Sequence, residues 1–276
     1  VALGAVVAVL VSALLTGCTK ASGSTQAPGR SQASESTTPS TGPPSTSASA
    51  RVEAAPDADA ALTSGTLTLT VRADHPTITP QPDGSVQAVV PLPADLPADA
   101  AQLFAPPGTT FEVQLDGSVV ARDLSGGFVG GLASPTATTD DGTLVRARFE
   151  AAGTQGLRVV VSRALVGSTE RTSGAATVWL GTTLVTSATW GEREGGRSLA
   201  VDPTPWARAG GLAAQDATWA AVVALAPDVD TNAMHDQFLC HALGAADKAT
   251  WNLEPWRPDV GSMATLVARC NPTWPS

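Results

Sequence analysis

The residue types best suited to chemistry gather late in the chain, in the stretch KATWNLEPWRPDVG at 248–261. Glu254 within it, and His241 just before it, are side chains that exchange protons near neutral pH and make an acid–base pair for hydrolysis. Asn252, Arg257 and Lys248 are the types that steady developing negative charge. An activated nucleophile is harder to find, because neither Ser198 nor Ser262 lies in a nucleophile-elbow context. The same loop also reads as a recognition surface. Rigid faces of Trp251 and Trp256 stack on sugars or peptides, and Arg257 offers a fork for a carboxylate. A third reading needs no ligand: the two indoles are wedges between helices and sheet, Pro255 and Pro258 stiffen the crossing, and Glu254 pairs locally with Arg257. Such a pair contributes well under about 1 kcal/mol when exposed.

Metal and cofactor chemistry find little support. His235 and His241 are six apart, about 240° around a helix, so they share no face. Asp228 and Asp230 lack the glycine and distal glutamate of a calcium loop, and the glycine-rich run 126–131 lacks a phosphate-loop lysine. His75, between Asp74 and Pro76, reads as a solvated loop residue. No metal site and no cofactor are expected. The three cysteines are Cys18, Cys240 and Cys270. With Cys18 assigned below, the even remainder in an oxidising compartment favours a Cys240–Cys270 disulfide, with a zinc site or a free catalytic thiolate as the alternatives.

These residues must be positioned by a helical segment. Trp219, Val222, Val223 and Ala226 recur at spacings of three and four, predicting a helix over 212–226. Met234, Phe238, Leu239 and Ala242 predict a second over 232–243, capped by Asp230, Thr231 or Asn232. A third is expected over 259–269. Before them the period is two. Leu67, Leu69 and Val71 alternate with threonines, and further strands are expected at 86–90, 110–115, 118–123, 142–149 and 156–162, separated by turns such as Asp116-Gly117. Residues 176–201 divide into three pieces, 176–180, 184–190 and 197–201, that read as a three-stranded meander. The fold class expected is α+β: a β-rich, sandwich-like middle region, then the meander, then a disulfide-linked helical segment.

Residues 1–17 are apolar and end in Leu15-Thr16-Gly17-Cys18, which resembles the bacterial lipobox. The resemblance implies that Cys18 is lipidated, with palmitate-type acyl chains, and becomes the mature N-terminus. No Lys or Arg precedes Cys18, so a charged n-region is missing; either Val1 is a non-ATG start or the true start lies upstream. The apolar run is shorter than the roughly 20 residues of a spanning helix and suits a secretory signal. Residues 18–58 are rich in Ser, Thr, Pro, Ala and Gly and lack Trp, Phe, Leu and Ile. They cannot bury enough apolar surface to offset ordering entropy and read as a disordered tether, of span roughly 35 Å. The organisation expected is signal 1–17, tether 18–58, β-rich domain 59–172 and α+β domain 173–276. The net charge of −9, without a basic run, argues against nucleic acid.

The residues 234–241 (MHDQFLCH), Lys248, the run 251–257 (WNLEPWR) and Cys270-Asn271-Pro272 resemble the C-terminal signature of a family of secreted bacterial proteins. Its domain is classed as of unknown function and occurs in actinobacterial lipoproteins and in secreted proteins of other Gram-positive bacteria. The stretch 193–204 resembles the start of the same domain, so the likeness covers about residues 175–275. It implies no activity, catalytic residue or ligand. The expectation is a lipid-anchored protein on the extracytoplasmic face of the membrane, acting as a structural or cell-envelope binding module for wall glycan, peptide or an envelope protein. An envelope-acting hydrolase using Glu254 and His241 is the alternative. Cys18→Ala is expected to move the protein out of the membrane fraction or block its maturation; a variant that stays membrane-bound on fractionation would remove the anchor.

Overall fold

Strand after strand in the first two-thirds of the chain alternates buried and exposed residues, because successive side chains point to opposite sides of a sheet. The computed structural model describes residues 52–53, 59–92, 98–162 and 173–274, all within one compact unit, Ser47–Ser276. The signal segment, Cys18 and most of the tether lie outside the described residues. Thirteen strands form one large antiparallel sheet: β1 (Val52–Glu53), β2 (Ala60–Ser64), β3 (Leu67–Ala73), β4 (Thr77–Pro80), β5 (Val86–Pro91), β6 (Ala98–Phe104), β7 (Thr110–Val113), β8 (Val119–Arg122), β9 (Phe128–Leu132), β10 (Thr136–Thr139), β11 (Leu144–Ala151), β12 (Gly156–Ser162) and β13 (Gly174–Gly181). The order is β1-β4-β5-β13-β10-β11-β12-β6-β3-β2, and β7, β8 and β9 branch off where β9 meets β13. Leu62, Leu69, Leu103, Leu157, Val178 and Leu180 meet in one core cluster. Val52–Glu53, inside the span read as tether, pair with β4.

A second sheet holds three antiparallel strands, β14 (Val185–Arg193), β15 (Gly196–Pro203) and β16 (Trp251–Leu253). This is a correction to the expected meander. The strand expected at 176–180 is β13 and belongs to the large sheet, paired with β5 and β10. The third member of the small sheet comes instead from the Trp-rich stretch, with Leu199 opposite Leu253 and Val201 opposite Trp251. Among the described residues the α-helices are α1 (Pro205–Ala209), α2 (Gly211–Leu225), α3 (Asn232–Gly244) and α4 (Ser262–Val267). α2 and α3 match the periodic segments to within a residue at each end. α4 is six residues long, shorter than the span expected. Val222, Met234 and Phe238 from α2 and α3 pack on Leu199, Val201, Trp251 and Leu253 of the small sheet. No helix among the described residues is long and apolar enough to cross a membrane.

Two turns of the large sheet hold the helical segment by the same device. Asp83 accepts hydrogen bonds from Ser85 through one carboxylate oxygen, and from the Trp206 backbone N–H, in the first turn of α1, through the other, at 3.1 Å. Asp116 repeats this: one oxygen binds Ser118, the other accepts from Leu212 N at 2.7 Å, and Ser118 Oγ accepts from Ala213 N at 3.0 Å. α2 needs such help because Gly210, its own N-cap residue, has no side chain to offer. Burial works against the Asp116 charge, but hydrogen bonds from Ser118 and Leu212 outweigh it and hold its carboxyl below the usual range. Between the two turns, Trp206 is fully buried against Gly181, where a Cβ would sit 2.2 Å from the indole. Only glycine leaves room there, and the Trp206 indole N–H also donates to the Trp179 carbonyl at 3.2 Å, so both contacts register α1 against β13.

Candidate functional site

The residues of 248–261 enter the structure between two arginines. Arg208, on α1, donates to the carbonyls of Ala246 and Ala249 at 2.7 and 2.9 Å, to the Lys248 carbonyl, and to Asp202 Oδ1 at 3.1 Å. That fixes the approach to β16. Its guanidinium also lies 5.4 Å from the Trp251 ring centroid. Trp251 itself is core: 2% exposed, with its ring edge-on to Phe238 at 5.5 Å. Its indole nitrogen has no hydrogen-bond partner.

Arg257 holds the far end and is 4% exposed. Its Nε donates to Glu254, its Nη2 to Glu194 at 2.8 Å, and its Nη1 to the Pro272 carbonyl at 3.2 Å. Glu254 is buried with it, and the Glu254 peptide is bound on both sides by Gln237 of α3: N–H to Oε1 at 2.9 Å, and Nε2 to the carbonyl at 3.0 Å. The Arg257 guanidinium lies 4.4 Å from the Trp256 ring centroid. Trp256, 36% exposed, packs against Gly196, where any Cβ would meet the indole at 2.2 Å. Glu194 reaches the site from the β14–β15 hairpin. Its φ of +51° and the +82° of Gly195 make the two-residue turn that matches strand twist. The local pair foreseen between Glu254 and Arg257 is therefore present, but it is buried and extended by three further groups.

His241 lies one turn along α3 from Gln237 and, like it, binds backbone at the β16 segment. It is 2% exposed, and its Nε2–H donates to the Asn252 carbonyl at 3.2 Å, since a carbonyl only accepts. That fixes the tautomer and leaves Nδ1 without a partner. Burial, and then the nearby charge of Lys248, push the imidazole down to about 4, against the opposing effect of the Asn252 hydrogen bond. Asn252 is half-buried in the middle of β16, and Lys248 is exposed. Cys240 and Cys270 form a disulfide that ties α3 to the turn after α4. Its loop of 30 residues corresponds to roughly 3 to 4 kcal/mol in the chain-entropy model.

The site residues thus fall into separate places. Glu254, Arg257 and Trp256 are together, His241 is with the Asn252 backbone and near Lys248, and Trp251 is in the core. Beyond lying within the stretches that resemble the family, two of the side chains that complete the lattice were given no role by the sequence. Gln237 carried a signal, as a polar residue on the buried Met234–Phe238 face of a helix. Glu194 carried only its place beside Gly195 in a turn. Among the described residues, no group of three or more His, Cys, Asp or Glu side chains is placed to hold a metal ion.

A family model described as a protein of unknown function (DUF2599) matches residues 185–273, which contain every residue of the Arg257 lattice. Uncharacterized proteins of Mycobacterium bovis and Mycobacterium tuberculosis are 41% identical over 100 residues, covering 33% of this chain and 68% of each relative. An uncharacterized protein of Mycobacterium leprae is 40% identical over 81 residues, covering 28% of this chain and 60% of its own. No solved structure matches the chain.

Removing one partner of a buried ion pair strands the other. Arg257→Met is expected to cost about 3–5 kcal/mol in denaturant unfolding, and Arg257→Met combined with Glu254→Leu to recover part of it; equal losses in the two variants would show that leaving Glu254 unpaired costs nothing. His241 gives a pH signature. Its folded-state value of about 4 lies below the ordinary 6.5, so the unfolded chain binds the proton first. Stability is full above about pH 6.5 and falls as pH drops toward 4, by roughly 3 kcal/mol in all. Thermal unfolding of His241→Gln, compared with the wild type across that window, is expected to lack this component.

Proposed function

The chain belongs to the DUF2599 family, and from that membership and its N-terminal sequence we propose a lipid-anchored envelope protein whose C-terminal domain is a binding module. Cys18 carries the acyl anchor after removal of residues 1–17, with palmitate among its chains, and residues 18–58 tether the body to the extracytoplasmic face of the membrane. The observation that carries the reading is the Cys240–Cys270 disulfide in a domain that buries both cysteines, which suits an oxidising compartment. In this reading the β-rich body is sandwich-like, as the shared core of Leu62, Leu69, Val178 and Leu180 supports. The signature of Met234, Gln237, Phe238, Cys240, His241 and the 251–257 run then serves as the clasp of the family's domain.

A binding role is favoured over hydrolysis because the acid–base candidates are occupied. Glu254 is buried in contact with Arg257, and His241 is bound to a backbone carbonyl with its other nitrogen enclosed. General acid–base catalysis needs a group within reach of the proton that it moves, and neither side chain has open access to a substrate. Recognition must use surface that the clasp leaves open, and Trp256 is the aromatic member of the signature that remains partly exposed. The expected partner is cell-wall material rather than a soluble metabolite. Purified cell wall is expected to retain the protein, and Trp256→Ala to reduce retention while leaving the fold intact. Absence of wild-type retention would overturn the wall-binding reading, and turnover of wall fragments by the wild type would reinstate the hydrolase.

A further inference from the structure

Seven of the described arginines have a carboxylate within ion-pairing distance. Lys248 and Arg269 have none among the described residues, and both line one crevice of about 400 Å3. Its other walls are Gly244, Ala245, Leu266 and the Cys240–Cys270 disulfide, so no acidic side chain lines it. This is notable in a chain of net charge −9, where acids are in excess. The C-terminal end of α3 meets the crevice at Gly244 and contributes roughly half a negative charge. That does not neutralise two cations, and α4 is too short to contribute much more. The uncompensated charge of Lys248 is also felt by His241.

The backbone at Arg269 is held in an uncommon form. Arg269 and Cys270 have φ of +54° and +69°, two successive non-glycine residues in the left-handed region. Such pairs are disfavoured and persist where the surroundings over-determine them. Here the turn is closed by Arg269 N–H to the Leu266 carbonyl at 3.0 Å, by Cys270 N–H to the Thr265 carbonyl at 2.9 Å, and by the disulfide. Arg269 is thereby placed at the same crevice as Lys248.

We infer that this crevice is a subsite for an anionic group on a small uncharged body, held between Lys248 and Arg269 and resting on Leu266 and the disulfide. The volume exceeds what a bare carboxylate or phosphate fills, and the remaining walls are uncharged and lined by small residues. The assignment deepens the binding reading by naming the chemistry bound, and rests on it for the ligand's source. A peptide with a free C-terminal carboxylate and a glycerol phosphate unit share this chemistry.

Titration calorimetry of the full oxidised chain at low salt separates them, using N-acetyl-alanyl-alanine, its C-terminal amide and glycerol phosphate. At least one of the two anions is expected to bind and the amide not to, and the better anion identifies the source. Lys248→Gln and Arg269→Asn are each expected to weaken binding about 10-fold or more. Asn tolerates the left-handed backbone, and unchanged melting temperatures would show that both variants fold. Arg146→Gln, which removes another arginine without a carboxylate partner among the described residues, is expected to leave affinity unchanged. Binding of neither anion, equal binding of the amide, or unaltered affinity in both crevice variants would overturn the subsite. Overturned in this way while cell wall still retains the protein, the crevice alone is excluded and the binding reading stands.

Discussion

A guanidinium taken out of water must be met on every side, and in this domain that requirement falls on Arg257. Its desolvation costs several kcal/mol unless each edge finds an acceptor. The acceptors come from three segments that are distant in sequence: Glu254 at the end of β16, Glu194 at the tip of the β14–β15 hairpin, and the Pro272 carbonyl beyond the disulfide. Satisfying one side chain therefore fixes the hairpin, the loop after β16 and the C-terminal tail together. Gln237 adds α3 by binding the Glu254 peptide on both sides. The disulfide performs a related task covalently, since it holds the tail that supplies Pro272.

A different logic joins the helical segment to the large sheet. The contacts there are caps and a steric fit, not a second buried charge lattice. Asp83 and Asp116 sit in turns that would form for local reasons, with the neighbouring serine satisfying one carboxylate oxygen. The second oxygen is then free to cap a helix more than ninety residues away in sequence. Trp206 supplies the apolar counterpart, filling the space that Gly181 leaves open. Each device uses a residue that looks like ordinary turn or strand punctuation until its distant partner is in place.

The parts that were legible in the sequence depend on neighbours along the chain. α2 and α3 followed from side chains three and four apart, and β3, β5, β8 and β12 from alternation and turn residues. The Thr231 cap on α3 was among those named. The errors were errors of pairing. β13 and β14 are adjacent in sequence, with Gly181 and Thr182 reading as a turn between them, yet Gly181 ends β13 and the two strands lie in different sheets. β16 is three residues long, too short for any period to register, and its partner β15 lies about fifty residues earlier. α4 stopped short because the turn at Arg269 and Cys270 leaves the helical region where the disulfide holds it.

By itself the sequence determined which segments alternate, which are amphipathic, and that an even pair of cysteines near the end favours a cross-link. It also singled out Glu254 and Arg257 as the side chains least explained by packing, and named His241 as a candidate partner for Glu254. Only the tertiary structure decided what those groups do. It enclosed Glu254 and Arg257 in one lattice, turned His241 toward a backbone carbonyl, and brought Lys248 and Arg269 to the same crevice. The physical reason is range: propensity and periodicity act over a few residues, whereas burial of a charge is settled by whichever groups the fold brings within about 3 Å of it.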